Sequence, residues 1–466
     1  MTKGKCGQKS RIPELVEGLS FSRVTKKKGR ASTSSAHRLV LTACALLATP
    51  AVAQTIAFTG GTVATGDGSA PAPGTVVIRD GCVVAAGPSA TVPAGAQIVD
   101  ATGKWVVAGM VAGFSRLGLV EVDAVDASND AVARNTPFNA SLDVTDAINP
   151  RVPSIAINRA RGVTRAIVAP EAAGNMFAGQ GAIIDTASDA NPVTKARAFQ
   201  FVEFGETGAR ISGGSRPASF AGFRTALAEA RDFGRAPGSY DGRTRDALLL
   251  RADAQALLRV IDGTVPLAVH VEGGPDIVRV LGLVREFSKL RLVLVGATEG
   301  WTVAREIAAA RVPVIASALI DLPTQFESVA ATQSNIGRMR AAGVDVSIGT
   351  INDDDTRMAI RTPQYAGNLV ALTKVPGATG LDWASAFAAV TSGPARAMGM
   401  GAEIGSLTPG RRADVVLWSG DPLELTSGVE RVWIDGVEQS TQTRQTRLRD
   451  RYLTPTEGAL PKAYDR

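Results

Sequence analysis

Side chains able to move a proton, hold a cation or grip an anion are few in this chain. Of 466 residues only two are histidines, His37 and His270. His270 ends an apolar run, Pro266–His270, and is followed by Glu272 and Asp276; a second acidic group, Asp353, Asp354 and Asp355, lies further on. One imidazole at a strand end is either a general acid/base or a hydrogen-bonding residue of the framework. Glu272, Asp276 and the three aspartates would make an all-oxygen site suited to Mg²⁺ or Ca²⁺ rather than zinc, or else solvated loops capping the next helices. Arg116 carries a planar fork that matches a carboxylate, and it would either bind such an anion or pair with a neighbouring acid. Ser115 would need His270 as its base to act as a nucleophile, and no other histidine is near it in sequence. The glycines from Gly174 to Gly181 lack the Lys-Ser/Thr ending of a phosphate loop and read as a backbone turn.

The elements that must position these groups follow from periodicity. From Thr55 to Val107 short β-branched runs alternate with turns, and Asp80-Gly81 between two of them is a hairpin signal. Similar runs, Asp414–Trp418 and Val432–Asp435, lie near the other end, so both ends should complete one small β domain. Between them strands are expected at 163–169, 266–270, 291–295, 312–316 and 344–348. Helices should alternate with the later ones, the first with Ile277, Val280, Leu281, Val284 and Phe287 on one face. Short strand–helix units imply parallel strands, and their number favours an α/β architecture with a (β/α)8 TIM-like barrel over an open sheet. A terminal helix is expected at 384–398, and loops at 211–217 and 235–243. The expected division is a small β-sandwich from 54–107 plus 404–440, a barrel over 108–403 and a tail over 441–466.

The formal charge of +6 belongs to the first 53 residues, which carry +8 and leave the rest at −2. No concentrated basic face remains, which argues against nucleic acid as a partner. Lys26–Arg30, the apolar run Leu39–Leu47 and Ala51-Val52-Ala53 form the three parts of a signal peptide cleaved near Ala53. The run is too short for a membrane span, and residues 1–23 are long for such a leader, so a later start near Val24 is an alternative. A lipobox-like Leu41–Cys44 is a second way to process the leader. Export would place the protein in the periplasm or outside the cell, with Cys82 as its one cysteine and no internal disulfide.

These motifs resemble the amidohydrolase superfamily, in particular its imidazolonepropionase-like, periplasmic branch. The likeness is carried by residues 104–111 (KWVVAGMV), by Gly162-Val163-Thr164, Gly174-Asn175 and Gly179-Gln180-Gly181, and by 266–277. The turn Gly405-Ser406-Leu407 … Pro409-Gly410 … Ala413-Asp414 and Gly420-Asp421-Pro422 complete it. The resemblance implies the barrel and β domain, and hydrolysis of amide-like C–N bonds by one or two divalent metals. Those metals are held by His-x-His on the first strand, often a carboxylated lysine on the fourth, histidines on the fifth and sixth, and an aspartate on the eighth. At the matching positions stand Phe114 and Arg116, Phe201, His270, Gly296 and Ile351. Only His270 keeps a ligand type, and a guanidinium or a carbon side chain cannot coordinate a cation. No cofactor is therefore expected, and a divalent ion only if the protein is an active hydrolase, with His270 and Asp353–Asp355 as the weak candidates.

Three functional readings follow. The fold, stripped of its metal–water centre, serves as a binding protein for a small molecule, an anion among the candidates, with Arg116, Glu272 and Asp276 as contacts. It would then stand alone, as a homo-oligomer, or as the partner subunit of an intact relative. Alternatively it hydrolyses non-peptide C–N bonds with an atypical site, or it is a metal-independent isomerase or lyase using His270, Arg116 and a carboxylate.

Overall fold

The computed structural model describes residues 54–238 and 247–453, so the expected leader and residues 239–246 and 454–466 lie outside the description. Two layers of organisation matter for function: a sheet made by both chain ends, and a closed barrel between them.

Strands β1 (Thr55–Ala64), β2 (Ala72–Arg79), β3 (Cys82–Gly87), β4 (Gln97–Asp100) and β5 (Trp105–Ala108) supply the front of the sheet. The β2–β3 hairpin closes as its sequence demands: Asp80 and Gly81 both have positive φ, 52° and 74°, the mirror-image turn whose twist matches flanking strands. β1 changes partner midway, pairing with β4 through Thr59 and with β5 from Thr62, and Gly60-Gly61 lies at the irregularity between.

The barrel uses β6 (Met110–Ser115), β7 (Val163–Val168), β8 (Phe177–Asp185), β9 (Val193–Glu203), β10 (Leu267–Val271), β11 (Leu292–Gly296), β12 (Val314–Ser317) and β13 (Val346–Gly349). Together they close into one cylinder. The chain then returns to the sheet through β14 (Val415–Trp418), β15 (Val429–Ile434) and β16 (Val437–Gln439), with β14 pairing antiparallel to β5 in the register Trp418↔Trp105. A barrel with a small β domain completed by both ends is thus the architecture.

One feature departs from strict strand–helix alternation. β8 runs antiparallel to both β7 and β9. Only eight residues join β7 to β8 and seven join β8 to β9, and a parallel crossover needs about a dozen or more. The glycines expected in a turn therefore divide: Gly174 precedes β8, whereas Gly179 and Gly181 are inside it. A side chain at Gly181 would collide with the Phe199 ring on β9, and one at Gly179 would press on the Leu142 carbonyl at 2.9 Å. The helix expected at 384–398 is two pieces, Trp383–Ala389 and Ser392–Ala397. Pro394 has no N–H to continue the first piece, so the chain breaks at Val390-Thr391. Part of the expected C-terminal tail, Arg444–Leu453, is helical.

Arg165 on β7 ties barrel to sheet. It is fully buried; its Nε and Nη2 donate to the two Asp414 oxygens at 2.7 and 2.8 Å, and Nη2 also reaches Asp435 at 2.5 Å. Burial would weaken its hold on the proton, but Asp414, Asp435 and Asp185 outweigh that and raise its pKa. Trp433 packs edge-on to Phe58 at 4.7 Å, Trp105 meets Trp383 at 5.3 Å, and Trp418 is buried on β14. Cys82 is disulfide-bonded in the full-length chain. The expectation of a lone cysteine applies only once a leader is removed. Among the described residues no helix is long and apolar enough to cross a membrane.

Candidate functional site

The site lies where the parallel strands of the barrel end. His270 is the penultimate residue of β10 and stands in register with Glu203, the last residue of β9. Its Nδ1 is 2.7 Å from Glu203 Oε2, and its Nε2 is 2.7 Å from Glu272 Oε1. Glu272, 1% exposed, also accepts from the Thr298 backbone N–H and from Asn352 Nδ2, each at 2.7 Å. Burial alone would lower the His270 pKa. The two carboxylates reverse this and hold it well above the usual imidazole range. Burial likewise pushes Glu272 up, yet His270, Asn352 and Thr298 bring it below its ordinary value. The group is an imidazolium, its side chain 14% exposed, clasped between two carboxylates, with both ring N–H groups engaged.

Arg116 follows β6 directly. It is 6% exposed, and Nε and Nη1 are buried without any hydrogen-bond partner. Its Cζ sits 5.6 Å from the centre of the Phe114 ring. Burial lowers its pKa, opposed by Glu171 and Glu203, neither of which forms an ion pair with it. Phe114 adopts φ +54°, a strained conformation for a non-glycine residue. Its ring meets Phe201 edge-on at 4.7 Å and Phe199 at 6.3 Å, all three fully buried inside the barrel.

The positions that the resemblance marks for metal ligands can now be read in space. Phe114 and Phe201 form an aromatic plug. Gly296, φ +85°, has no room for a side chain, because a Cβ would overlap Glu272 Oε1 and lie 2.9 Å from His270 Cδ2. Ile351 packs against the barrel-interior cluster. The two ring nitrogens of His270 point apart, so the carboxylates flanking it cannot converge on one ion. These residues do not fit a divalent metal, and no group of three His, Cys, Asp or Glu placed to hold one occurs among the described residues.

The acidic groups do not assemble either. Asp276 accepts from Arg216 at 2.6 Å and Arg279 at 2.9 Å, Asp355 pairs with Arg357 at 2.9 Å, and Tyr365 donates to Asp353 at 3.2 Å. Burial raises the Asp353 pKa, while Asp354 is exposed. Ser115 is fully buried and its hydroxyl donates to the Ile167 carbonyl at 3.3 Å, so no histidine activates it.

Three residues of the site escape the sequence reading: Glu203, Asn352 and Glu327. Glu203 was within reach, since Phe199, Phe201 and Glu203 alternate along β9 and share its inward face. Glu327, in the loop after β12, accepts from the Glu206 N–H at 2.8 Å and from Arg216 at 3.4 Å. Burial, with Glu206 and Glu272 nearby, pushes its pKa up to about 7. Nothing in its local sequence marks it.

Barrel and β domain are similar to those of the amidohydrolase superfamily. The Amidohydrolase family profile matches residues 258–439. The amidohydrolase from Thermotoga maritima superimposes with a TM-score of 0.72 at 26% identity, over 82% of this chain and 99% of that one. Amidohydrolase tasK of Hapsidospora irregularis is 26% identical over 393 residues, 76% of this chain and 38% of the relative. The imidazolonepropionase of Maricaulis maris is 32% identical over 112 residues, 24% of this chain and 26% of that enzyme. The chain thus spans well under half the length of either curated relative.

Proposed function

We propose that this protein keeps the amidohydrolase barrel without a metal–water centre and works as a ligand-binding or partner subunit. The observation that carries the reading is the Phe114–Phe201 ring contact at 4.7 Å, which fills with carbon the space two metal ligands would share. Arg116 adds a buried positive charge beside it, unfavourable for a dication. His270 gives no general base while both its nitrogens donate to carboxylates.

The partner-subunit form draws support from length. The Hapsidospora relative leaves 62% of its chain outside the match, room for a second barrel of this size. The leader-like residues 1–53 support a periplasmic or secreted location after cleavage near Ala53.

A second reading draws its support from the relatives, an amidohydrolase and an imidazolonepropionase. On that reading the Glu203–His270–Glu272 group would perform acid–base hydrolysis of a C–N bond, or a metal-free isomerisation or elimination, once a substrate displaced one carboxylate. Metal analysis of protein purified without chelator, run beside a panel of cyclic and linear amides, separates the two. Metal-free and inactive protein supports the first; turnover abolished by His270→Gln supports the second.

A further inference from the structure

Resting on the reading of a metal-free binding barrel, we infer that the mouth is a carboxylate site, with the Arg116 guanidinium as its anchor. A buried cation with unpaired N–H groups is costly, and proteins meet that cost with an anionic partner. Arg116 has two such nitrogens, Nε and Nη1, and no side-chain hydrogen bond or ion pair among the described residues. The two nearest acids do not supply the partner. Glu203 is committed to His270 Nδ1, and Glu171 is exposed and unpaired with Arg116. No described residue supplies that anion, which leaves the place to a ligand.

Charge chooses its class. The His270 imidazolium and the Arg116 guanidinium match the carboxylates of Glu203 and Glu272 in charge, so the mouth accommodates an anion of single charge better than a multiply charged one. A dianionic phosphate would bring its second charge up against Glu203 and Glu171. A planar carboxylate matches the guanidinium fork with one charge only. Arg116 thereby takes over the strand-one end of the site for ground-state recognition, in place of Lewis-acid chemistry.

The test uses the full-length protein, titrated calorimetrically with benzoate and N-acetylglycine, their neutral amides, and inorganic phosphate. Saturable binding of the carboxylates, absent for the amides and phosphate, is expected. Arg116→Met keeps the bulk and removes the charge, and should weaken binding by about tenfold or more, the worth of a charge-assisted hydrogen bond. Arg116→Lys should restore part of it. Carboxylate binding unchanged in a folded Arg116→Met protein, phosphate binding in place of carboxylate, or no binding at all would each overturn the inference. Metal content measured on the same sample keeps the two ideas apart: a stoichiometric transition ion contradicts the metal-free reading itself, whereas metal-free protein without carboxylate binding contradicts only the anchor.

Discussion

His270 and Glu203 face each other in register across β10 and β9, with Nδ1 and Oε2 2.7 Å apart. That contact, with Glu272 on the opposite ring nitrogen, makes the lone histidine of the barrel a charged strut. At neutral pH both ring nitrogens should carry protons. Nitrogen-15 NMR of labelled protein would report this directly: imidazolium shifts persisting well above pH 6.5 are expected, and a neutral tautomer at pH 7 would be the contrary result.

Linkage gives the sign of the pH effect on stability. A histidine whose folded pKa is raised contributes stability that is fully present below its unfolded value of 6.5 and is lost as pH rises through the raised value. His270→Gln should therefore narrow its stability gap to wild type as pH climbs through that range. A constant gap in urea titrations across alkaline pH would contradict the assignment.

Glu327 gives a second pH signature. Its pKa is raised from 4.5 to about 7 in the fold, so between those values the unfolded chain ionises first and stability falls as pH rises. Glu327→Gln keeps an acceptor for the Glu206 N–H. It should gain stability relative to wild type from pH 4.5 to 7, read from denaturant midpoints at several pH values; parallel curves would refute the shift.

Much of this was legible in sequence, and the reasons differ by element. The Asp80-Gly81 hairpin and the strands at 266–270 and 291–295 follow local rules that the tertiary structure does not override: turn chemistry in one case, short apolar runs in the other. His270 stood out because barrel strands present their last residues at the mouth. β8 did not, because Gly179 and Gly181 read as turn residues until the Leu142 carbonyl and the Phe199 ring that need their bare Cα are known. Glu203, Asn352 and Glu327 come from three separate loops or strand ends and meet only through closure of the barrel, so no spacing in the chain announces them.

Gly296 tests the packing of the strut. Alanine there is opposed both by φ +85° and by overlap with Glu272, whereas Gly214, at φ +83°, has no atom within 4 Å. Gly296→Ala should lose on the order of 2–4 kcal/mol in urea denaturation, Gly214→Ala about 1 kcal/mol. Equal losses would mean that the Glu272 contact does not constrain the site.

Arg165 tests the seam between barrel and sheet. Asp414→Asn removes one side of a buried pair and should cost about 3–5 kcal/mol, measured as a lowered denaturation midpoint. A loss below about 1 kcal/mol, the range of exposed pairs, would show that the network does not hold the two parts together.

The most direct measurement is elemental analysis of protein purified without chelator, paired with anomalous diffraction at a transition-metal edge. Far less than one ion per chain, with no anomalous peak between His270 and Arg116, is the result expected from the Phe114–Phe201 plug and the clasped imidazolium. One tightly bound transition ion per chain at that place, with His270 turned to ligate it, would contradict the account.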